Sequence, residues 1–212
     1  MKTVFFDVDT QLDFMYPAGA LYVPGAETIV DKIAALNRYA GRNGIVVISD
    51  VDAHAEDDPE FQTWPPHCVA GTLGQQKPAM TLLDKRIVIP NVPTDLALDG
   101  VQQILLEKQT LDCFSDVNLP GLLERLGAER YVVYGVVTEI CVKLAAFGLL
   151  KTGKRVELVT DAVRSLNDAA AADMMDAFLA ATAHVHQLTL VTRDVSDFQG
   201  AGTPVLSPWL AH

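Results

Sequence analysis

Short runs dominated by β-branched and aliphatic residues recur along this chain, and each stops abruptly at polar side chains. Thr3-Val4-Phe5-Phe6 leads into Asp7 and Asp9, Ile45-Val46-Val47-Ile48 into Asp50 and Asp52, and Ile104-Leu105-Leu106 into Glu107 and Lys108, while Tyr131 to Val136 ends at the turn before Thr138. Runs this short and this continuously apolar belong to strands covered on both faces, as in parallel sheets. Helical spacing fills the intervals: Ala26 to Tyr39 through Ile29, Ile33, Ala34 and Leu36, then Leu119 to Leu126, Glu139 to Lys151, and an Ala-rich stretch from about Asn167 to Ala183. Further strands are expected at Val156–Val159 and Leu188–Val191, with Ile87-Val88-Ile89 adding a piece of edge. The alternation predicts a single β/α domain with a parallel sheet over residues 1–212.

Composition narrows what such a domain binds. The 212 residues are half hydrophobic and carry a net charge of -11. With no Lys/Arg cluster, a nucleic-acid partner is not expected. The most apolar later segment, Tyr131 to Leu150, is broken by Glu139 and Lys143, so neither is a membrane span. Three cysteines, Cys68, Cys113 and Cys141, leave at least one free thiol and suit a reducing compartment. The first strand begins without a basic region or a long apolar leader, and a cytoplasmic location is expected.

In a parallel sheet the carboxyl ends of the strands share one edge, which is where open α/β sheets bind ligands. Asp9, Asp52 with His54, Lys108 and Cys141 each follow a separate predicted strand, so the fold itself gathers them. A cysteine attacks as thiolate and needs a base, a cation or a helix N-terminus to become one. Asp9 can take the thiol proton and return it to a leaving amine, Lys108 can favour the thiolate and tune Asp9, and the helix starting near Glu139 adds its dipole. Backbone N–H groups around Val137 and Cys141 can hold an oxyanion. Each residue alone has a plainer role: a buried thiol, a cap, a solvated lysine. Cys68 and Cys113 start no helix after a buried strand and read as structural.

The polar stretch after the second strand supplies metal-ligand types. Asp52-x-His54 with His67 offers two imidazoles and a carboxylate for one divalent ion, Glu60 can add a fourth group, and zinc, iron and manganese all suit such a set. The long segment from Ala53 to Arg86 lacks periodicity and has the residue types of a functional loop. His184 and His186 adjoin no acidic cluster and read as surface or core residues.

Taken in order, Asp9-x-Gln11-x-Asp13-Phe14, Asp52-x-His54, Trp64-Pro65-Pro66-His67-Cys68-Val69-x-Gly71-Thr72, Lys108 and Gly135-Val136-Val137-Thr138-Glu139-Ile140-Cys141-Val142 resemble the isochorismatase-like cysteine hydrolases over nearly the whole chain, most of all the nicotinamidase members. The resemblance implies a three-layer α/β/α, Rossmann-like fold with a mostly parallel sheet of about six strands. It also implies a catalytic triad of Asp9, Lys108 and Cys141, a cis peptide before Val137 orienting the oxyanion-hole amides, and metal ligands Asp52, His54 and His67 joined variably by Glu60. Zinc is the first expectation for the ion. Phe14, Trp64 and Val136 would wall the pocket for a small-molecule amide, and a homo-oligomer is implied. The implied reaction is hydrolysis of nicotinamide to nicotinate and ammonia through a Cys141 thioester. A different amide, a carbamoyl compound or isochorismate is the alternative within the family; a non-catalytic metal-binding protein on the same fold is the alternative outside it. Ala53, Leu73, Val137 and Glu139 stand where relatives often carry an aromatic residue, proline, alanine and aspartate, and Asp7 is an additional carboxylate.

Overall fold

The computed structural model describes residues 1–208, so the last four residues of the expected 1–212 unit lie outside the described residues. In chain order the main elements are β1 (Thr3–Val8), α1 (Leu12–Met15), α2 (Val30–Arg42), β2 (Val46–Asp52), β3 (Arg86–Ile89), β4 (Gln103–Lys108), α3 (Leu119–Leu126), β5 (Arg130–Val136), α4 (Lys143–Lys151), β6 (Arg155–Arg164) and α5 (Asp168–Val185). Six strands form one sheet in the order β3-β4-β2-β1-β5-β6. Every neighbouring pair in it is parallel.

Alternation along the strands divides the core. Val4, Phe6, Ile48, Ile104, Leu106 and Val133 pack with Leu122, Ala145, Leu149, Met174 and Phe178 of α3, α4 and α5. Phe5, Val47, Val132 and Tyr134 pack on the other face with Ile33 and Ala40 of α2. The result is the expected three-layer arrangement, because side chains on a strand alternate faces while each helix presents one apolar stripe. The chain steps from β1 to β2 on one side and later to β5 on the other, so β1 lies at the point where the strand order reverses, a binding position in doubly wound sheets.

One strand expectation fails. Leu190–Val191 pairs, among the described residues, with Val205–Leu206 in a separate two-stranded parallel piece (β7 and β8) instead of joining the main sheet, whose edge on that side is the ten-residue β6. The isolated apolar run Ile87-Val88-Ile89 does join the main sheet as its other edge, in register with Ile104 to Leu106. The helix expected from Glu139 begins instead as a π-helical turn over Thr138–Val142, and α-helix follows only from Lys143. No helix among the described residues is long and apolar enough to cross a membrane.

Beneath the sheet edge, on the α2 face, lies a buried polar network. Asp7 Oδ2 meets the Lys77 ammonium at 3.0 Å, Asn37 Nδ2 at 3.1 Å and Ser49 Oγ at 3.1 Å, while Asp7 Oδ1 accepts from Thr10 Oγ1 at 2.7 Å. Asn37 in turn accepts from the Tyr134 hydroxyl and donates to the Thr81 carbonyl at 2.7 Å. The extra carboxylate is therefore structural: it ties β1 and α2 to the loop around Lys77. Removing one member of such a pair strands the other charge in the core. Lys77→Met should lower unfolding free energy by about 3–5 kcal/mol in urea titrations, whereas Asp7→Asn/Lys77→Met should recover most of that loss. A double variant no more stable than Lys77→Met would show that the pair is not the organising element of this network.

Candidate active site

β1 ends where Asp9 adopts a left-handed backbone conformation, φ 48°. Aspartate tolerates that region better than most residues, and such strain concentrates at functional positions. Asp9 N–H donates to the Asp50 carbonyl at 3.1 Å, after which β1 turns away from β2. Gln11 then bridges the gap: its Nε2 donates to the Asp52 carbonyl at 2.7 Å and its Oε1 accepts the Asp52 N–H at 2.8 Å. On the other flank, Gly135 of β5 lies so close to β1 that a Cβ would stand 2.1 Å from the Val8 carbonyl oxygen, and its φ of 124° suits glycine alone. Beyond it the Val136–Val137 peptide is cis, and Val137 O accepts the N–H groups of Ile140 and Val142, both at 3.1 Å, forming the turn that carries Cys141.

These elements bring Asp9, Lys108 and Cys141 together. The Lys108 ammonium, buried, contacts Asp9 Oδ2 at 3.0 Å and Asp52 Oδ1 at 2.5 Å. Asp9 Oδ1 accepts from no N–H or O–H donor among the described residues, and the Asp9 carboxyl interacts with the Cys141 thiol. Burial first, and the Asp52 charge second, raise Asp9 to about 7 against the pull of Lys108. For Asp52 burial pushes upward, but the Lys108 ammonium and the neighbouring imidazoles of His54 and His67 outweigh it and hold the group below the usual carboxylate range. Burial also opposes charge on Lys108, yet the two carboxylates keep it a cation. Cys141 is pushed well above the ordinary thiol range by burial and then by Asp9. Lys108 pulls the thiol downward, the direction expected of it, but burial and Asp9 outweigh that pull. Cys141 thus favours the thiol form, beside a carboxyl raised to about 7.

A second cluster adjoins the first. Ligand atoms of Asp52, His54 and His67 all lie within 4.8 Å of one another. Each histidine is fixed through Nδ1, His54 to Asp58 Oδ2 at 3.0 Å and His67 to the Pro65 carbonyl at 2.8 Å, while each Nε2 stands 3.6 Å from Asp52 Oδ2. In the neutral ring a proton on Nδ1 leaves the Nε2 lone pair free, and His54 Nε2 is buried without a hydrogen-bond partner among the described residues. Two imidazole lone pairs and a carboxylate oxygen converging on one point fit a divalent cation. Burial opposes charge on His54, but with no cation bound the Asp52 and Asp58 carboxylates raise it to about 9, so a cation binding there would displace the Nε2 proton. Glu60 Oε1 stands 3.8 Å from His67 Nε2, outside the three-residue cluster. Asp58, which orients His54, was visible in sequence only as one of several acids after it.

A narrow pocket opens onto both clusters. Phe14, Trp64, Val137, Leu21, Leu111, Ile140 and Leu166 supply its apolar walls, with Cys141, Asp52, His67 and Glu60 as the polar groups. Phe14 and Trp64 are where they were expected. Val136 is not: alternation along β5 turns it into the core with Phe5 and Val132, and Val137 lines the cavity instead. Leu21, Leu111, Ile140 and Leu166 had no motif to signal them. Ala53 is buried beside β4, its N–H bonded to the Lys108 carbonyl at 2.9 Å, and does not reach the cavity. Cys68 and Cys113 are buried and structural in position, and His184 and His186 are exposed at the end of α5.

Comparison with known proteins agrees with this arrangement. Residues 3–189 match the family model described as Isochorismatase domain. An uncharacterized isochorismatase family protein of Bacillus subtilis is 31% identical over 175 residues, spanning 79% of this chain and 88% of its own. Nicotinamidase of Saccharomyces cerevisiae is 27% identical over 202 residues, 79% of this chain and 90% of its own. The fold matches pyrazinamidase of Pyrococcus horikoshii, solved in complex with zinc, with a TM-score of 0.69 at 24% identity over 98% of this chain and 99% of that one. The chain belongs to the isochorismatase domain family, a hydrolase on the fold that its nicotinamidase relatives use to cleave amide C–N bonds.

Proposed function

We propose that this protein hydrolyses a neutral aromatic carboxamide, nicotinamide first, to the carboxylate and ammonia. The observation that carries the reading is the composition of the cavity. Among the described residues no lysine or arginine lines it, and its polar groups are the cysteine, two carboxylates and a histidine. A substrate carboxylate would find no lysine or arginine free to pair with it, since the Lys108 ammonium is already held by two carboxylates, and would have only the histidine cluster and its cation to offset Asp52 and Glu60. A flat uncharged ring between Phe14 and Trp64, carrying its own lone pair, meets no such penalty.

In this reading the Asp9 carboxylate takes the Cys141 proton as sulfur attacks the amide carbon. Backbone N–H groups of Val137 and Cys141 receive the developing oxyanion, and protonated Asp9 returns its proton to the departing ammonia. Water, deprotonated by Asp9, then cleaves the thioester to the acid and regenerates the thiol. Lys108 keeps the Asp9 carboxylate aimed throughout. A divalent ion, zinc being the first candidate, would be held by Asp52, His54 and His67 and would supply a Lewis acid for a ring nitrogen or a water.

Purified protein should release ammonia and nicotinate from nicotinamide, with Cys141→Ala and Asp9→Asn each losing at least about a thousandfold in kcat. Full activity in the Cys141 variant would refute the thioester route. Asp9 is competent only as carboxylate, so with its acid raised to about 7 the value of kcat/KM should fall about tenfold per pH unit below that point. An acid limb at the ordinary carboxylate value would contradict the assignment. Asp58→Ala, which frees the His54 ring, should weaken zinc binding about ten- to a hundredfold in competition with a chromophoric chelator.

A further inference from the structure

Glu139 sits on the turn two residues before the nucleophile, yet it is absent from the cavity wall. Its Oε1 instead accepts two backbone donors from a distant part of the chain, Leu166 N–H at 2.9 Å and Asn167 N–H at 2.8 Å. Both belong to the connection between β6 and α5. Asn167 is also the N-cap of α5, its side-chain oxygen accepting from Ala170 N–H at 3.1 Å. Leu166 is 39% exposed, so core packing does not fix it, although it forms part of the cavity wall. One carboxylate oxygen therefore joins the nucleophile's turn to the outer rim of the pocket. The remaining oxygen, Oε2, is shielded and has no hydrogen-bond partner among the described residues.

We propose that Glu139 is a positioning residue that latches the β6–α5 connection onto the catalytic turn, and that Leu166, held by this latch, sets the largest ring the pocket admits. The selectivity half rests on the carboxamide-hydrolase reading given above. A rim segment held by two charge-assisted hydrogen bonds, one from Leu166 and one from Asn167, rather than by packing is fixed only as long as its acceptor is present. With the latch closed, single-ring amides fit and fused-ring amides meet Leu166. Glutamine keeps an oxygen acceptor at the same reach, so Glu139→Gln preserves the latch, while Glu139→Ala removes it.

Two readouts test the two halves. Hydrogen exchange at the Leu166 and Asn167 amides, measured without substrate, should accelerate at least about tenfold in Glu139→Ala and stay near the parent rate in Glu139→Gln. Unchanged exchange in Glu139→Ala would overturn the latch whatever the protein hydrolyses. For selectivity, the ratio of kcat/KM for quinoline-3-carboxamide to that for nicotinamide should rise about tenfold or more in Leu166→Ala. The ratio should move the same way in Glu139→Ala, with KM for nicotinamide rising more than kcat falls. Unchanged ratios in both variants would overturn Leu166 as the size determinant. If the parent protein turned over neither amide, the substrate reading and the selectivity half would fall together, and exchange would still decide the latch.

Discussion

The ammonium of Lys108 holds the site together. Buried at the end of β4, it stands 3.0 Å from Asp9 on one side and 2.5 Å from Asp52 on the other, so the carboxylate beside Cys141 and the metal-type cluster share one cation. A buried cation is costly unless both its charge and its donors are met, and two carboxylates meet them. The carboxylates in turn owe their places to strands β1 and β2, whose ends the parallel sheet sets side by side. Disturbing any of the three groups uncovers charge in the other two, which makes the trio a single electrostatic unit.

The two carboxylates around that lysine meet opposite fates. Asp9 has burial and a like charge against it and only the lysine and the thiol in its favour, and it settles near 7. Asp52 has the same lysine plus two histidines facing it, and it stays ionised. Divergent environments for paired acids are how one site obtains both a proton shuttle and a permanent anion. The thiol follows the same logic. Its burial next to Asp9 favours keeping the proton on sulfur.

Strand–helix alternation made the architecture legible in the sequence, because a strand covered on both faces leaves an unbroken apolar run and its carboxyl end is marked by the first charged residue. Asp9, Asp52, Lys108 and Cys141 were legible for that reason: topology places strand ends, whatever the loops do. What escaped depends on side-chain direction or distant pairing. Val136 and Val137 are chemically alike, and only the phase of β5 decides which one faces the cavity. Leu166 reaches the pocket through a contact across 27 residues, which no periodicity encodes. The strand at Leu190–Val191 has the right composition but a partner, Val205–Leu206, outside the main sheet.

Gln11 has a consequence of its own. By donating to the Asp52 carbonyl and accepting from the Asp52 amide, its side chain presents the same donor and acceptor that a peptide group would offer in the next rung of the sheet. The pairing of β1 with β2 thus continues past the point where the main chain of β1 has turned away. The spacing between Asp9 and Asp52 is fixed by the length of a glutamine, like a gauge block set between two jaws. Asparagine, one methylene shorter, or glutamate, lacking the donor, would leave the jaws ungauged even though neither touches the reaction.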